Sequence, residues 1–166
     1  MKVLLVGMMG TGKTTVGAAL AACTGWPYLD NDVLLERTSG SSAQDLLASQ
    51  GEAALRTAES QVLTLVLGMP GDLIAGVAAG VVLSAADRAR LRDSPAHVVW
   101  LRAKVATLVR RVGRDTGRPW LGADSAAALR AFASDREPLF AEIADQVVDV
   151  DTTPPRQLAR LITAAL

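Results

Sequence analysis

A glycine-rich segment near the start of the chain constrains its fold more than any other feature. Residues 7–14 read Gly-Met-Met-Gly-Thr-Gly-Lys-Thr and match the pattern G-x-x-x-x-G-K-[ST] in full. The apolar residues 3–6 predict a strand before the segment, and apolar spacing in residues 13–24 predicts a helix after it. A glycine-rich turn between a strand and a helix lets backbone N–H groups converge on an anion. This context therefore favours a phosphate cradle over a turn without a ligand.

The side chains of this segment suit a nucleoside triphosphate and its magnesium ion, so ATP and Mg²⁺ are the predicted cofactors. Lys13 would reach the β- and γ-phosphates, and the hydroxyl of Thr14 would bind Mg²⁺. The predicted nucleotide-binding residues of this segment are Gly10, Thr11, Gly12, Lys13, Thr14 and Thr15.

Short apolar runs alternate with longer helical patterns along the rest of the chain, which indicates an α/β fold with a parallel sheet. We predict strands at residues 3–6, 26–29, 73–77, 97–101 and 146–150. Helices are predicted at residues 13–24, from Asp30 or Asp32 to near Gly40, and at 43–49, 52–67, 85–92, 103–112, 125–140 with an interruption near Pro138, and 155–166. Ligands of a doubly wound sheet bind beyond the carboxyl ends of its strands, where residues 7–15, 30–32 and 78–80 fall.

Size and charge narrow the remaining classes of function. The 166 residues predict a single domain spanning 1–166, and 17 Lys and Arg residues balance 17 Asp and Glu residues. This neutral balance predicts no nucleic-acid partner and no membrane partner. The longest uncharged stretch, residues 73–86, is too short to cross a bilayer as a helix.

The chain contains one cysteine, Cys23, which cannot form an internal disulfide. A chain of this kind is typical of a reducing compartment, so we expect a cytoplasmic protein. Cys23 lies in an apolar helical stretch, and we expect its thiol to be buried in the core.

Two carboxylates follow the second predicted strand, Asp30 and Asp32. One can hold a water molecule of the Mg²⁺ shell, and the other can accept a hydrogen bond from an attacking hydroxyl. Either residue could instead cap the helix that follows. Beside a phosphate cradle, the functional interpretation is favoured.

Arg56 and Arg136 are candidates for binding a substrate carboxylate, which arginine holds through two parallel hydrogen bonds. Glu52 and Glu59 lie four residues before and three residues after Arg56, so Arg56 could equally form ion pairs along its own helix. Taken without other motifs, surface ion pairs are the favoured interpretation of both arginines.

Residues 113–124 form a predicted loop with three glycines and one proline, and Arg118 lies within it. A glycine-rich loop that carries an arginine can close over phosphates, exclude water and neutralise charge in the transition state. A solvated loop without such a role is the alternative.

The order and spacing of these motifs resemble those of the shikimate kinase family. The resemblance covers the glycine-rich region at residues 4–17, D-x-D at 30–32, G-E-x-x-x-R at 51–56, Arg-Pro at 118–119 and R-x-P-L-[FY] at 136–140. It implies a three-layer P-loop kinase fold. The five-stranded parallel sheet would have order 2-3-1-4-5, flanked by helices, with a mobile lid at about 113–124 and an acceptor-binding region at about 30–60.

The resemblance also implies a role for each candidate residue. Lys13, Asp32 and Arg118 would be catalytic, with Asp32 holding the acceptor hydroxyl and Arg118 acting from the lid. Asp30 would join Thr14 at the metal, and Arg111 would lie near the adenine. The residues implied to bind the acceptor are Asp32, Arg56, Ala79, Gly80 and Arg136. The implied partner is a small carboxylated hydroxy acid, shikimate first, and a monomer is expected.

One departure from the family pattern affects the acceptor. The family carries Gly-Gly-Gly after the third strand, whereas this chain has Ala78-Ala79-Gly80. An alanine keeps its N–H but adds a methyl group and resists positive φ. The function predicted first is therefore transfer of the ATP γ-phosphate to the 3-hydroxyl of shikimate. A kinase for another carboxylated polyol or cyclitol such as gluconate, and a non-catalytic ATP-binding regulator, remain as alternatives.

Overall fold

The computed structural model describes residues 1–112 and 125–166. Its centre is a five-stranded sheet in the order β2-β3-β1-β4-β5, in which every pair of neighbours is parallel. The strands are β1 (Lys2–Val6), β2 (Tyr28–Leu29), β3 (Leu73–Gly76), β4 (His97–Arg102) and β5 (Gln146–Asp149). This confirms the predicted fold class and strand order.

Helices connect and cover the strands. They are α1 (Lys13–Thr24), α2 (Asn31–Ser39), α3 (Ala43–Gly68), α4 (Ala85–Asp93), α5 (Val105–Val112), α6 (Ser125–Ile143) and α7 (Pro155–Thr163). A short 3-10 turn over Val81–Leu83, which the sequence did not predict, lies between β3 and α4. Helix α1 packs against α7, and α6 packs against α4 and α5.

The central strands are apolar at successive positions, as a sheet covered on both faces requires. In β1, Val3, Leu4 and Leu5 are fully buried, so side chains from both faces of this strand lie in the core. Leu5 lies opposite Gly76 of β3 and Val99 of β4 in the sheet register. This register brings the carboxyl ends of the three central strands to one edge.

Two capping signals place the helices that border this edge. The side chain of Asp30 caps α2 by accepting from the backbone N–H of Asp32, and Ser42 caps α3 in the same way through the N–H of Asp45. Helix α3 kinks at Gly51, where φ is 83° and ψ is 179°, a conformation that favours glycine. The two helices predicted at 43–49 and 52–67 are therefore the two arms of one kinked helix.

The predicted interruption of α6 at Pro138 is wrong, because the helix continues to Ile143. Proline lacks the N–H that would bond the carbonyl of Ser134, but both residues are exposed and water can satisfy that carbonyl. Phe140 and Ile143 lie in the core beyond the proline, and their burial holds the last turn in place.

The expected burial of Cys23 is also wrong, because its side chain is exposed. The buried face of α1 is formed by Val16, Gly17 and Leu20 and does not extend into the last turn of the helix. Among the residues described, no helix combines the length and the apolar character needed to cross a membrane.

Candidate active site

The glycine-rich loop between β1 and α1 packs closely against β4 and α5. Gly7 and Gly10 have φ of 140° and 82°, which disfavour any residue with a side chain. A Cβ on Gly7 would lie 2.5 Å from the carbonyl oxygen of Leu101, and one on Gly10 would lie 2.8 Å from Cγ2 of Val112. The loop therefore curls over the end of β4 and the last turn of α5 because its glycines leave room.

The loop ends at the amino terminus of α1. Gly12 is the N-cap of this helix and has no side chain with which to cap it. Thr14 and Thr15 in the first turn are exposed. The backbone N–H groups of a first helical turn have no partner within the helix, so this end of α1 suits an anion.

Two side chains hold the loop from within. The hydroxyl of Thr11, which is 2% exposed, donates to the carbonyl of Met8 at 2.8 Å. The ammonium of Lys13 donates to the carbonyls of Gly7 and Met8 at 2.9 and 3.2 Å. The positive charge of Lys13 therefore lies against the first two residues of the loop.

Arg111 supports the loop from α5. Its Nη1 donates to the carbonyls of Gly10 and Thr11 at 3.2 and 3.4 Å, and its Nη2 donates to the carbonyl of Val150 at 2.9 Å. These bonds tie the loop to the segment that follows β5. The family resemblance implied that Arg111 lies near the adenine, and that role stays a prediction.

Asp30 uses its two carboxylate oxygens differently. Oδ1 accepts from the N–H of Asp32 at 3.0 Å and so caps α2. Oδ2 accepts from the hydroxyl of Thr14 at 2.8 Å and from the hydroxyl of Tyr28 at 3.2 Å. The two interpretations offered by the sequence, capping and metal support, are therefore compatible in one residue.

The oxygen atoms of Thr14 and Asp30 fit the way proteins bind Mg²⁺. This ion takes one or two protein oxygen ligands and keeps waters and substrate phosphates for the rest of its octahedron. Within residues 1–112 and 125–166, no group of three or more His, Cys, Asp or Glu side chains forms a cage for a metal ion. The hydroxyl of Thr14 and the carboxylate of Asp30, beside a phosphate cradle, are therefore suitable ligands for Mg²⁺.

Tyr28 is protonated at this position. Burial raises its pKa well above the usual value, and the negative charge of Asp30 raises it further. The hydroxyl therefore remains a hydrogen-bond donor to Asp30 at neutral pH.

A cavity of about 660 Å³ lies between the loop and the acceptor region. It is bordered by Lys13 and Thr14 on one side and by Asp32, Arg56 and Arg136 on the other. Asp32 is exposed in the first turn of α2, and its Oδ1 accepts from the side-chain amide of Asn31 at 3.2 Å. The cavity thus places a carboxylate and two arginines in reach of one small molecule beside the cradle.

Arg56 is held by two glutamates of its own helix. Its Nη1 donates to Glu59 at 2.6 Å, and its Nη2 donates to Glu52 at 3.0 Å. Burial would lower the pKa of Arg56, but the carboxylates of Glu59 and Glu52 together more than offset this, so the pKa is raised. The ion pairs expected as an alternative to substrate binding are present, and Arg56 still lines the cavity.

Arg136 is a buried arginine that, in the described part of the chain, lacks hydrogen-bond partners for part of its guanidinium group. Its side chain is 5% exposed, and its Nε has no hydrogen-bond partner among the described residues. Nη1 makes one long contact to the carbonyl of Ala79 at 3.5 Å, and the guanidinium lies 4.7 Å from the ring centroid of Phe132. Burial and the charge of Arg56 both lower its pKa. A buried charge with an unsatisfied donor suits an anionic ligand in this cavity.

The chain matches the family model for shikimate kinase over residues 9–166. It belongs to the shikimate kinase family. A shikimate kinase of Thermobifida fusca (strain YX) is 35% identical to it over 163 residues, which cover 98% of this chain and 93% of that relative. One from Bordetella pertussis is 38% identical over 165 residues, covering 99% of this chain and 77% of the relative.

A solved structure of a family member shows the same architecture. Shikimate kinase from Acinetobacter baumannii in complex with shikimate has a TM-score of 0.91 and 32% sequence identity to this chain. The comparison covers 99% of this chain and 91% of the other.

The backbone accepts alanine at positions 78 and 79, where the family resemblance implied glycine. In the described part of the chain no residue other than glycine has a positive φ, so Ala78 and Ala79 adopt ordinary conformations. Gly80 has φ of −81° and begins the 3-10 turn. The strain expected from alanine at these positions is therefore absent, and both residues line the cavity.

Glu59 is a site residue that the sequence identified only as a helix partner of Arg56. It is 7% exposed, and burial raises its pKa against the lowering effect of Arg56. Its spacing from Arg56 was visible in the sequence, but its burial was not. Arg118 and the predicted lid at 113–124 lie outside the described residues, so that role stays a prediction.

Proposed function

We propose that this chain is a shikimate kinase, which transfers the γ-phosphoryl group of ATP to the 3-hydroxyl of shikimate and releases ADP. The buried Arg136, with its unsatisfied Nε beside Arg56 in a cavity that adjoins a phosphate cradle, carries the proposal. Membership of the shikimate kinase family supports the same activity.

The nucleotide side of the mechanism depends on positioning and charge. Backbone N–H groups of residues 10–15 and the ammonium of Lys13 would hold the phosphates, with Arg111 keeping the loop in shape through its two carbonyl contacts. Lys13 would exchange its contacts with the loop carbonyls for phosphate oxygens when ATP binds. Thr14 and Asp30 would hold Mg²⁺, Asp30 through water, and the ion would neutralise phosphate charge.

The residues on the acceptor side of the cavity would orient one hydroxyl of shikimate. Arg56 and Arg136 would bind the carboxylate of shikimate, and this contact would supply the partner that Arg136 Nε needs. Ala79 and Gly80 would border the ring. Asp32 would accept a hydrogen bond from the attacking hydroxyl and take its proton as the new O–P bond forms and the bond to the ADP oxygen breaks.

We also propose the setting in which this activity occurs. The described residues assigned to the acceptor and to Mg²⁺ all line one cavity of a single chain, which supports a monomer. A small acid is the partner, and the neutral overall charge provides no basis for nucleic acid or a membrane as partner. The single cysteine agrees with a cytoplasmic location.

Steady-state release of ADP with different acceptors tests the proposal. The purified chain with MgATP should release ADP rapidly with shikimate, and ³¹P NMR should identify a phosphate monoester on its 3-hydroxyl. Gluconate and buffer without acceptor serve as comparisons and should give little turnover.

Two results would overturn it. Turnover with gluconate or another carboxylated polyol, but not with shikimate, would mean that the methyl groups of Ala78 and Ala79 have changed the acceptor. Binding of ATP without turnover of any acceptor would indicate a regulatory protein instead.

A further inference from the structure

Tyr28 connects three elements of the fold around the carboxylate of Asp30. It lies at the start of β2, its ring packs against Gly17 of α1, and its hydroxyl lies next to Gly76 at the end of β3. The same hydroxyl donates to Oδ2 of Asp30 at 3.2 Å. One side chain therefore joins the helix of the phosphate cradle, the central sheet and the acceptor region.

The two glycines provide the space that this tyrosine occupies. A Cβ on Gly17 would lie 2.1 Å from Cε2 of Tyr28, and a Cβ on Gly76 would lie 2.8 Å from its hydroxyl oxygen. Neither glycine has a positive φ, so the backbone does not require glycine at either position. Glycine is required there because of the ring and the hydroxyl of Tyr28.

The hydrogen bond from Tyr28 completes a three-point attachment of Asp30. Oδ1 is fixed by the N–H of Asp32 at 3.0 Å, and Oδ2 is fixed by the hydroxyls of Thr14 at 2.8 Å and Tyr28 at 3.2 Å. A carboxylate held at both oxygens cannot turn about its terminal bond without breaking a contact. Because Asp32 is bonded to the same group, the start of α2 is held with it.

We propose that Tyr28 is a positioning residue for phosphoryl transfer, whose hydroxyl fixes the carboxylate of Asp30 toward the magnesium side of the site. This rests on the proposed function, in which Asp30 supports Mg²⁺ through water. Residues that orient metal-supporting carboxylates commonly change metal affinity when they are replaced. Tyr28 acts through Asp30 and does not itself contact a substrate.

The first test removes only the hydroxyl. Tyr28→Phe keeps the ring against Gly17, so the fold should persist. The strengthening of ADP binding by Mg²⁺, measured by calorimetry without any acceptor, should weaken by about three- to tenfold, as expected for one lost hydrogen bond. In the activity assay the apparent KM for Mg²⁺ should rise by a similar factor, with the KM for shikimate little changed. Thr163→Val removes a hydroxyl from the distant helix α7 and should leave Mg²⁺ dependence unchanged.

The second test uses the contact with Gly76. Gly76→Ala should displace the Tyr28 hydroxyl and weaken Mg²⁺-dependent ADP binding as Tyr28→Phe does. In the Tyr28→Phe background the nearest described atoms to the added methyl would be Cζ of residue 28 at 3.8 Å and Cβ of Lys13 at 3.9 Å, which are ordinary contacts. Gly76→Ala should therefore have little further effect in the double variant.

Two outcomes would overturn the inference. The first is Tyr28→Phe with unchanged Mg²⁺-dependent ADP binding, and the second is Gly76→Ala with the same effect in both backgrounds. If Tyr28→Phe did not fold, Gly76→Ala alone would decide by keeping or losing the Mg²⁺ effect. These binding measurements need no acceptor, so they stand apart from the acceptor assay that tests the proposed function.

Discussion

The guanidinium group of Arg56 lies directly against the Cα atom of Gly80. A Cβ on Gly80 would come within 1.8 Å of Nη1 of Arg56 and 2.5 Å of Oε2 of Glu59. Gly80 has φ of −81°, so its backbone would accept any residue. The absence of a side chain at this position is what lets the Arg56–Glu59 ion pair reach the cavity.

Gly80→Ala should therefore impair acceptor binding specifically. The methyl group would displace the ion pair, and overpacking of this kind corresponds to about a tenfold rise in the KM for shikimate. The KM for ATP should change little, because the phosphate cradle lies on the other side of the cavity. Steady-state kinetics with each substrate varied in turn measure both constants.

Gly68→Ala is the matched control, because no described atom lies within 4 Å of the added Cβ and its φ is not positive. Equal kinetics for the two variants and the unmodified chain would contradict the contact between Gly80 and Arg56.

Arg136→Lys should weaken acceptor binding while keeping a positive charge. Lysine cannot reproduce the planar pair of donors that arginine offers a carboxylate, so the KM for shikimate should rise by about ten- to a hundredfold. Arg130→Lys, an exposed position on the same helix, should leave the KM unchanged. An equal KM in the two lysine variants would show that Arg136 does not bind the acceptor.

Lys13→Ala should abolish turnover while the fold survives. The variant loses the positive charge over the phosphate loop, and kcat should fall by at least about a hundredfold. Circular dichroism would check the fold. Lys104→Ala removes an exposed lysine just before α5 and should retain activity. Full activity of Lys13→Ala would contradict the assignment of the loop to ATP.

Cys23→Ser should leave stability almost unchanged, because the thiol is exposed. The free energy of unfolding should shift by no more than about 0.5 kcal/mol in urea titrations. Leu20→Ala, a fully buried position in the same helix, should cost about 2 to 5 kcal/mol. A large loss of unfolding free energy in Cys23→Ser would mean that the last turn of α1 packs against the core.

Much of the fold follows from local patterns along the chain. The bounds of α1 were predicted correctly because Gly12 and Gly25, both in the left-handed region, delimit an apolar helical run. The five strands were found as short apolar runs, although β2 proved to be only Tyr28–Leu29. The strand order was not accessible from periodicity and came from the resemblance to the family.

The features that local patterns did not reveal depend on contacts between distant segments. Pro138 is tolerated because its side of α6 faces solvent, and the exposure of Cys23 depends on where the buried face of α1 ends. Motif spacing placed Arg56 and Arg136 in one site. It could not show that Arg136 Nε is unsatisfied or that Glu59 is buried against Gly80.

A crystal structure of the chain with ADP, Mg²⁺ and shikimate tests the central claim most directly. The account predicts that the shikimate carboxylate binds between Arg56 and Arg136, with a hydrogen bond to Nε of Arg136. The 3-hydroxyl should lie within hydrogen-bonding distance of Asp32 and face the phosphate loop. A carboxylate bound elsewhere, or a loop at residues 7–14 without phosphates, would contradict it.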